Sequence, residues 1–221
     1  CEYLEEKHLT PALVGTTAEH TLEGLAHQAG VRALVIGRQA RRGEKRVVRL
    51  GRVARRLLRT LPAPVVVVPP DLQPHDVGEG PVLFAASTDD DATAAAELAK
   101  QLAADLGRPL SVVHVVPGDD YLAAEMVPAG VAGDFFRELR QDHERNLVAW
   151  MRAHGLGGVP HLVSEGSVVD RLAEVAREER SPLVVVGSRG LGLGMRLFSS
   201  SVATDLAAAS DVPVAVVPNA R

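Results

Sequence analysis

The sequence predicts an α/β fold in which a parallel sheet is doubly wound with helices. Short β-branched apolar runs alternate with helix-compatible segments, which is typical of successive β-α units. The run Leu183–Val186 is followed by four glycines within eight residues, as in a buried strand that enters an anion-binding loop. The arrangement occurs twice, because Leu34–Gly37 and Pro64–Pro69 match Val184–Gly187 and Pro213–Pro218. We therefore expect two copies of one unit, a first and a second repeat.

The first repeat, residues 1–70, is a partial copy of this unit. Its predicted elements are the end of a helix at 1–8, strands at 12–14, 33–36 and 65–68, and helices at 17–29 and 47–61. Relative to the second repeat, it lacks the first strand, the first helix, the second strand and most of the second helix. We therefore expect exposed apolar surface at the gap, with the chain either a fragment of a longer protein or completed by another molecule.

The second repeat, residues 82–221, is complete. A linker at 71–81 precedes it, because prolines and glycines there can continue neither a helix nor a strand. The predicted strands lie at 82–86, 110–116, 161–164, 183–186 and 214–217, and the predicted helices at 92–106, 134–153, 168–179 and 200–209. In the helix at 92–106, Leu98, Leu102 and Leu106 recur every four residues and predict one apolar face.

The alternation of strands and helices also predicts where a ligand binds. Right-handed crossovers place ligands beyond the carboxyl ends of the strands, at the point where the winding reverses. The loops after Ala86 and Val186 are the pair that we expect to meet there. Glycines and a helix start free backbone N–H groups for an anion, so the pattern indicates a nucleotide or another phosphorylated ligand.

Composition sets limits without naming a function. The chain has 221 residues, of which 46% are hydrophobic and 24% charged, enough for one large core or two modest ones. No apolar stretch reaches the length of a membrane span and no segment resembles a secretion signal, so we expect a cytoplasmic protein without a membrane partner. The single cysteine, Cys1, excludes an intramolecular disulfide.

The net charge of −4 is unevenly distributed. Residues 38–59 contain ten Lys or Arg and one acid, a local balance of +9, so the remaining residues carry −13. Lys45, Arg49, Arg52, Arg56 and Arg59 recur at helical spacing, and Val53, Leu57, Leu58 and Leu61 lie on another side of the predicted helix. This pattern favours a solvated amphipathic helix. The alternative is electrostatic docking of an acidic partner; nucleic acid is not favoured, because neither interleaved aromatics nor a recognised motif is present.

The glycines after the fourth strand carry a resemblance to the universal stress protein family. Gly187, Gly190 and Ser201 fall on three of the four positions of the family motif Gly-x2-Gly-x9-Gly-(Ser/Thr), and Ser200 replaces the last glycine. Val82–Thr93 is similar to the first strand and helix start of the family. The resemblance covers nearly the whole chain as a tandem pair. It implies five parallel strands in the order 3-2-1-4-5 and pairing of the two repeats through their final strands.

The resemblance also implies an ATP site in the second repeat. Family members that hold ATP use an Asp after the first strand, a main-chain contact in the second strand and the glycine motif around the phosphates. The matching positions are Ser87, Val115, Gly187, Gly190, Ser200, Ser201 and Val202. Ser87 lacks the acceptor strength of a carboxylate, and Ser200 adds a Cβ where the close approach of a phosphate favours glycine. We therefore expect a degenerate site for ATP or a related nucleotide.

The first repeat departs further from the motif. Gln39 and Ala40 follow Gly37 where a second glycine is needed, and Arg52 takes the hydroxyl position after Gly51. A lone glycine after a strand is more typical of a turn than of a phosphate site. We expect the first repeat to be structural.

The remaining candidates favour structural roles. The acids Asp89–Asp91 are better explained by capping of a helix start than by cation binding, and His114 by packing than by base catalysis. Trp150 and Met151 are expected in the core. The other histidines lack metal-ligand spacing, and no Walker lysine motif, nucleophile elbow or zinc-protease helix occurs, so neither a catalytic constellation nor a metal site is predicted.

The predicted function is therefore that of a regulatory stress-response protein of the tandem universal stress type, working by ligand-dependent choice of a partner. A homo-oligomer and a regulatory protein partner are expected. A scaffold that binds no nucleotide and acts through protein contacts is the alternative from another class, and a nucleotide hydrolase is the third.

Overall fold

A computed structural model describes residues 17–41, 47–70, 72–88, 92–117, 129–188 and 202–218. The strands are β1 (Leu34–Gly37), β2 (Gln39–Arg41), β3 (Val47–Arg49), β4 (Val65–Val68), β5 (Val82–Ala85), β6 (Leu110–Pro117), β7 (His161–Gly166), β8 (Val184–Gly187) and β9 (Val214–Val217). The helices are α1 (Ala18–Ala26), α2 (Arg52–Thr60), α3 (Thr93–Asp105), α4 (Ala129–Ala153), α5 (Val168–Glu178) and α6 (Val202–Ala209). Among these residues, no helix is long and apolar enough to cross a bilayer.

Seven strands form one sheet in the order β1-β4-β9-β8-β5-β6-β7, and β2 pairs separately with β3. Within the sheet, the five strands of the second repeat stand in the predicted order and are parallel to one another. The fold class is therefore confirmed. The sheet is larger than the predicted five strands because β4 and β1 of the first repeat extend it.

Side chains of alternate residues in these strands build two cores, one on each face of the sheet. One core takes Leu83 and Val184 from neighbouring strands, together with residues of α1, α2, α5 and α6. The other takes Phe84 and Val185, together with residues of α3 and α4, including the predicted core residue Trp150. All four residues of β5 are buried, as the continuous apolar run predicts for a central parallel strand.

The two repeats join through their last strands. β4 runs antiparallel to β9, with Val65 opposite Val216 and Val67 opposite Val214. Every other strand pair in the seven-stranded sheet is parallel, so this step marks the pseudo-twofold relation between the repeats. The predicted pairing of the final strands is confirmed.

The repeat extends to individual main-chain hydrogen bonds. The matched pairs are Leu34 N–H to Pro64 O (2.8 Å) with Val184 N–H to Pro213 O (2.9 Å), and Arg38 N–H to Val68 O (2.9 Å) with Ser188 N–H to Val217 O (2.7 Å). Even a left-handed turn is shared, with φ of 90° at Gly30 and 52° at Arg180. The two repeats therefore have the same backbone plan where both are described.

The predicted helix at 47–61 is wrong over its first five residues. Val47–Arg49 forms β3, antiparallel to β2, and the helix begins only at Arg52. Gly51 takes an extended conformation at the amino-terminal cap of α2, which separates strand from helix. Arg49 therefore belongs to a strand rather than to the basic helix, and Lys45 lies outside the described residues. β-Branched Val47 and Val48 favour the hairpin, a preference that the charge periodicity concealed.

Smaller differences concern the ends of elements. Leu106 was expected on the apolar face of α3, but it lies just past the end of the helix and is exposed. The predicted apolar face is confirmed at Leu98, which is buried, and at Leu102, which packs against the same core; Ala95, Ala96, Ala99 and Ala103 complete the buried side. α4 begins at Ala129 rather than at 134. The helix end predicted at 1–8 and the strand predicted at 12–14 lie outside the described residues.

The segment predicted as a linker packs against the second repeat. Gly80 N–H donates to Arg180 O at 2.9 Å, in the turn between α5 and β8. A Cβ on Gly78 would lie 1.8 Å from Arg180 O, and one on Gly80 would lie 1.9 Å from Glu179 O. Two glycines are therefore required by close approach of two backbones.

Candidate functional site

The predicted ligand site lies where β5 ends before its two neighbours. The pairing of β5 ends with Ala85 opposite Val113 on β6 and opposite Val186 on β8. β6 continues to Pro117 against β7. β8 continues by one residue, to Gly187. Ser87, two residues past Ala85 and half-buried, therefore stands at a gap between β6 and β8. This gap is the switch point that the sequence predicted.

Main-chain groups of Val115 face this gap. On β6, Val113 O accepts the Ala86 N–H at 2.9 Å on the β5 side, whereas Val112 N–H donates to Pro160 O at 2.9 Å on the opposite side. Successive residues of a strand turn their main-chain groups to opposite neighbours. Val115 therefore turns its N–H and C=O to the same side as Val113, beyond the point where β5 has ended.

The same alternation applies to β8. Leu183 O accepts the Leu83 N–H at 3.0 Å on the β5 side, and Ser188 N–H donates to Val217 O at 2.7 Å on the β9 side. Residues 183, 185 and 187 therefore face β5. On the side opposite Val115, the Gly187 N–H is used by β5 in the register that pairs Ala85 with Val186, so the Gly187 C=O is the group that faces the gap. Three of the predicted site residues, Ser87, Val115 and Gly187, thus converge on one place.

His114 of β6 connects the residue after β5, Ala86, to helix α4 beside the gap. Its buried ring puts Nδ1 2.9 Å from Ala86 O and Nε2 3.2 Å from Nδ1 of His143 on α4. A carbonyl oxygen only accepts, so Nδ1 of His114 carries the proton and Nε2 accepts from His143 when both rings are neutral. The predicted packing role of His114 is confirmed. His143 was not singled out from the sequence, because it lies 29 residues away on a helix.

The remaining candidates fall at the start of α6 or beyond the described residues. Val202 is the first residue of α6 and is exposed. Gly190, Ser200 and Ser201 lie outside the described residues, as do the acids Asp89–Asp91. Over the described ranges, no group of three or more His, Cys, Asp or Glu side chains is placed to hold a metal ion.

The corresponding place in the first repeat carries a different group. Arg38, which matches Ser188, is 7% exposed. Its Nη1 donates to Ala208 O at 2.7 Å and to Ala207 O at 3.2 Å, at the carboxyl end of α6. A cation there satisfies helix carbonyls and complements the helix dipole. The first repeat therefore uses this position to bind the second repeat, a role that sequence reasoning missed.

These features define a class of tandem α/β proteins. The two repeats share one sheet, and the next-to-last strand of each repeat's share of that sheet, β1 or β8, ends in glycine. Comparison with protein families finds the profile described as "Universal stress protein family" over residues 3–69 and 80–218. The chain belongs to the universal stress protein family.

A curated relative and two solved structures agree with this membership. The relative, "Universal stress protein in QAH/OAS sulfhydrylase 3'region" from Thermus aquaticus, is 34% identical over 140 residues, which is 62% of this chain and 96% of the relative. A putative universal stress protein from Pseudomonas aeruginosa UCBPP-PA14 has a TM-score of 0.70 at 15% identity, covering 99% of this chain and 75% of its own. A universal stress protein from Archaeoglobus fulgidus DSM 4304 has a TM-score of 0.65 at 18% identity, with the same two coverages. The structural likenesses establish the shared fold.

Proposed function

We propose that this protein is a regulatory stress-response protein that binds ATP or a related nucleotide beyond the end of β5. The observation that carries the proposal is the convergence of Val115 and Gly187, whose main-chain groups face one gap from opposite sides. Main-chain donors and acceptors on rigid strands suit a flat polar base and a phosphate chain, because they need no side-chain ordering on binding.

The proposed pose follows from the chemistry of each position. Val115 offers an N–H and a C=O side by side, as the edge of an adenine requires. Ser87 offers one hydroxyl to the ribose. The phosphates lie toward Gly187 and the start of α6, where backbone N–H groups and the helix dipole attract anions. Gly190, Ser200, Ser201 and Val202 belong to this phosphate end of the proposed site.

The proposed mechanism is a change of state rather than a chemical step. A ligand shifts an equilibrium only if it binds one state better than the other. The amino end of α6 meets the phosphates in this proposal, and its carboxyl end, about 12 Å away by helical rise, is bound by Arg38 of the first repeat. Order imposed on α6 by the nucleotide would therefore reach the junction between the repeats. Neither turnover nor a catalytic residue is part of the proposal.

A matched pair of glycine variants tests the site. Gly187→Val places a branched side chain at the gap, whereas Gly37→Val makes the same change in the first repeat, where a Cβ at Gly37 meets nothing within 4 Å. In calorimetry with ATP, Gly187→Val should abolish binding and Gly37→Val should leave the affinity unchanged. Equal affinities of the two folded variants would contradict the site.

The departures from the family motif supply a gain-of-binding test. Ser87→Asp with Ser200→Gly should tighten ATP binding by about 1–3 kcal/mol, by restoring a charge-assisted hydrogen bond and removing a steric contact. Ser201→Ala should weaken it. A folded double variant with no gain would show that the second repeat does not use this pose.

A scaffold without nucleotide is the second candidate, and the shared sheet favours it. The repeats are joined by β4–β9 and by Arg38, and neither contact uses a residue of the proposed nucleotide site. Analysis of small molecules released from acid-denatured purified protein separates the two candidates. Recovered nucleotide supports the first, and its absence together with no calorimetric response to ATP supports the scaffold.

A further inference from the structure

Helix α2 carries a stripe of four arginines on its outer face. Arg52, Arg55, Arg56 and Arg59 are all exposed and follow the i, i+3, i+4, i+7 spacing of a single helical face. On the inner side, Ala54, Leu57 and Leu58 are buried in the core. The stripe extends over about 10 Å at 1.5 Å per residue. It is the described part of the basic segment found in the sequence.

Glu23 of the neighbouring helix α1 neutralises one edge of this arginine stripe. Glu23 on α1 lies 3.2 Å from Nε of Arg56 and 3.3 Å from Oγ1 of Thr60. The guanidinium groups of Arg55 and Arg59 make no ion pair or hydrogen bond with any other residue that the structure describes. Guanidinium groups bind carboxylates and phosphates with two parallel hydrogen bonds, so this edge is suited to a row of anions.

Helix α5 carries a carboxylate stripe of similar length. Asp170, Glu174 and Glu178 are exposed at i, i+4 and i+8, which corresponds to about 12 Å along the helix. Glu174 pairs with Arg171 of the same helix. Asp170 and Glu178 have no ion-pair partner within the described residues.

Both stripes lie on the same side of the sheet. Buried residues of α2, α5 and α6 all belong to the core on one face, with α5 packed beside α6, α6 on β9 and α2 on β4. α6 therefore lies between α5, which carries the carboxylate stripe together with Arg171 and the exposed Arg177, and α2, which carries the arginine stripe. Val202 and Ala209 are the exposed residues of α6, and the helix also contacts β3.

We propose that this helical face docks on the same face of a second copy of the chain. A two-fold axis through the α6 region places the arginine stripe of each chain on the carboxylate stripe of the other, so that both contacts form at once. The overall charge agrees, since residues 38–59 carry +9 and the rest of the chain −13. This pairing does not depend on the proposed nucleotide site.

The first test is the mass of the full chain in solution at two salt concentrations. Sedimentation equilibrium should give a dimer near 50 mM NaCl and a shift toward monomer near 500 mM, because the Debye length shortens from roughly 14 Å to roughly 4 Å over this range. A monomer at the lower concentration would overturn the proposal. So would a dimer that salt does not weaken.

Charge exchange gives the sharper test. Arg55→Glu with Arg59→Glu, or Glu174→Arg with Glu178→Arg, should each weaken association by about tenfold or more, since attractive pairs become repulsive. All four changes in one chain should restore it to within about threefold, because complementarity is re-established with the signs exchanged. Arg140→Glu with Arg145→Glu on α4 is the matched control: it changes the net charge equally and should leave association unaltered.

Circular dichroism confirms that each variant is folded. Failure of the four-change chain to recover association, while it remains folded, would contradict the proposed contact. A monomeric chain that binds duplex DNA or anionic vesicles through Arg55 and Arg59 would also overturn it, because the partner would then be of another class.

Discussion

The last β-α-β unit of each repeat has the same backbone and a different chemistry. The strand residues Leu34 and Val184 are both buried, and the helix residues Leu57 and Leu206 are both fully buried. Outside the core, the two units diverge. The strand in the first repeat is followed by the β2–β3 hairpin and an arginine-rich helix. The strand in the second repeat is followed by a glycine-rich sequence and by α6, in which four of eight residues are alanine. Packing restrains both units, whereas among the described strands the second repeat alone has a neighbouring pair, β5 and β6, with which to form the gap.

Matched positions on the outer sheet face show the same contrast. Val35 is 69% exposed, whereas its counterpart Val185 is fully buried in the core that α3 and α4 cover. The exposed apolar surface predicted for the first repeat is confirmed at this residue. Within the described residues, β1 pairs only with β4. In the first repeat, therefore, β1 is covered on the face that carries Leu34, which belongs to the core shared with the second repeat, and is exposed at Val35 on the other face.

The largest expected effect tests whether the repeats unfold together. Leu57→Ala and Leu206→Ala each remove a fully buried side chain from the same core, so each should lower the free energy of unfolding by about 2–5 kcal/mol. Urea denaturation followed by circular dichroism should show a single transition that both variants shift. Two transitions, of which each variant moves only one, would contradict a shared core.

The next effect concerns the cation that links the repeats. Arg38→Met keeps most of the side-chain volume but leaves the Ala207 and Ala208 carbonyls without their charged donor, which should cost about 1–3 kcal/mol of stability. Ser188→Ala, the matched change in the second repeat, should cost much less. Equal losses in urea denaturation would show that Arg38 is not a specific link.

The docked linker gives an effect of similar or smaller size. Gly80→Ala sets a Cβ against Glu179 O, and the backbone displacement that follows should destabilise by about 1–3 kcal/mol. Gly24→Ala serves as the control, because a Cβ on Gly24 meets nothing within 4 Å and alanine favours the helix α1, so it should stabilise by up to about 1 kcal/mol. Thermal melting of both variants distinguishes a docked segment from a free linker, since a free linker would tolerate Gly80→Ala.

The smallest effect separates the two left-handed turns. Gly30→Ala introduces a Cβ at φ 90° and should cost about 1 kcal/mol, while Arg180→Gly relieves φ 52° and should change stability by less than that, because glycine also gains freedom in the unfolded chain. The measurement is again thermal melting. A larger loss at Arg180 than at Gly30 would mean that the Arg180 side chain contributes more than its backbone strain costs.

Much of the fold could be predicted because the signals are local. Each signal is a pattern only a few residues long: the apolar runs that begin at Val82 and Val184, the glycine at 187, and the motif Pro64–Pro69 with its copy Pro213–Pro218. The hairpin at Val47 was missed because charge spacing and β-branched preference conflicted in one short segment. The leucine spacing of α3 predicted the buried Leu98, but it did not reveal that four alanines make up the rest of the buried side, because alanine is common on every face of a helix.

The candidate site was predictable as a set of positions but not as an arrangement. Ser87, Val115 and Gly187 could be named from the motif, yet the direction of their main-chain groups depends on strand register, which only pairing determines. The link from His114 to Ala86 and His143 likewise joins three elements that no local pattern connects.

The sequence by itself determined the fold class, the two repeats, their joint through the last strands and the family. Only the tertiary structure decided that Arg38 binds the end of α6, that Gly78 and Gly80 lie against the α5–β8 turn, and that the carboxylate stripe of α5 and the arginine stripe of α2 lie on one face. The physical reason is the sequence separation of the interacting groups. Periodicity and turn preferences depend on residues a few positions apart, whereas Arg38 donates to carbonyl oxygens 169 and 170 residues further along the chain. Such contacts form only when the pairing of β4 with β9 has brought the two repeats together.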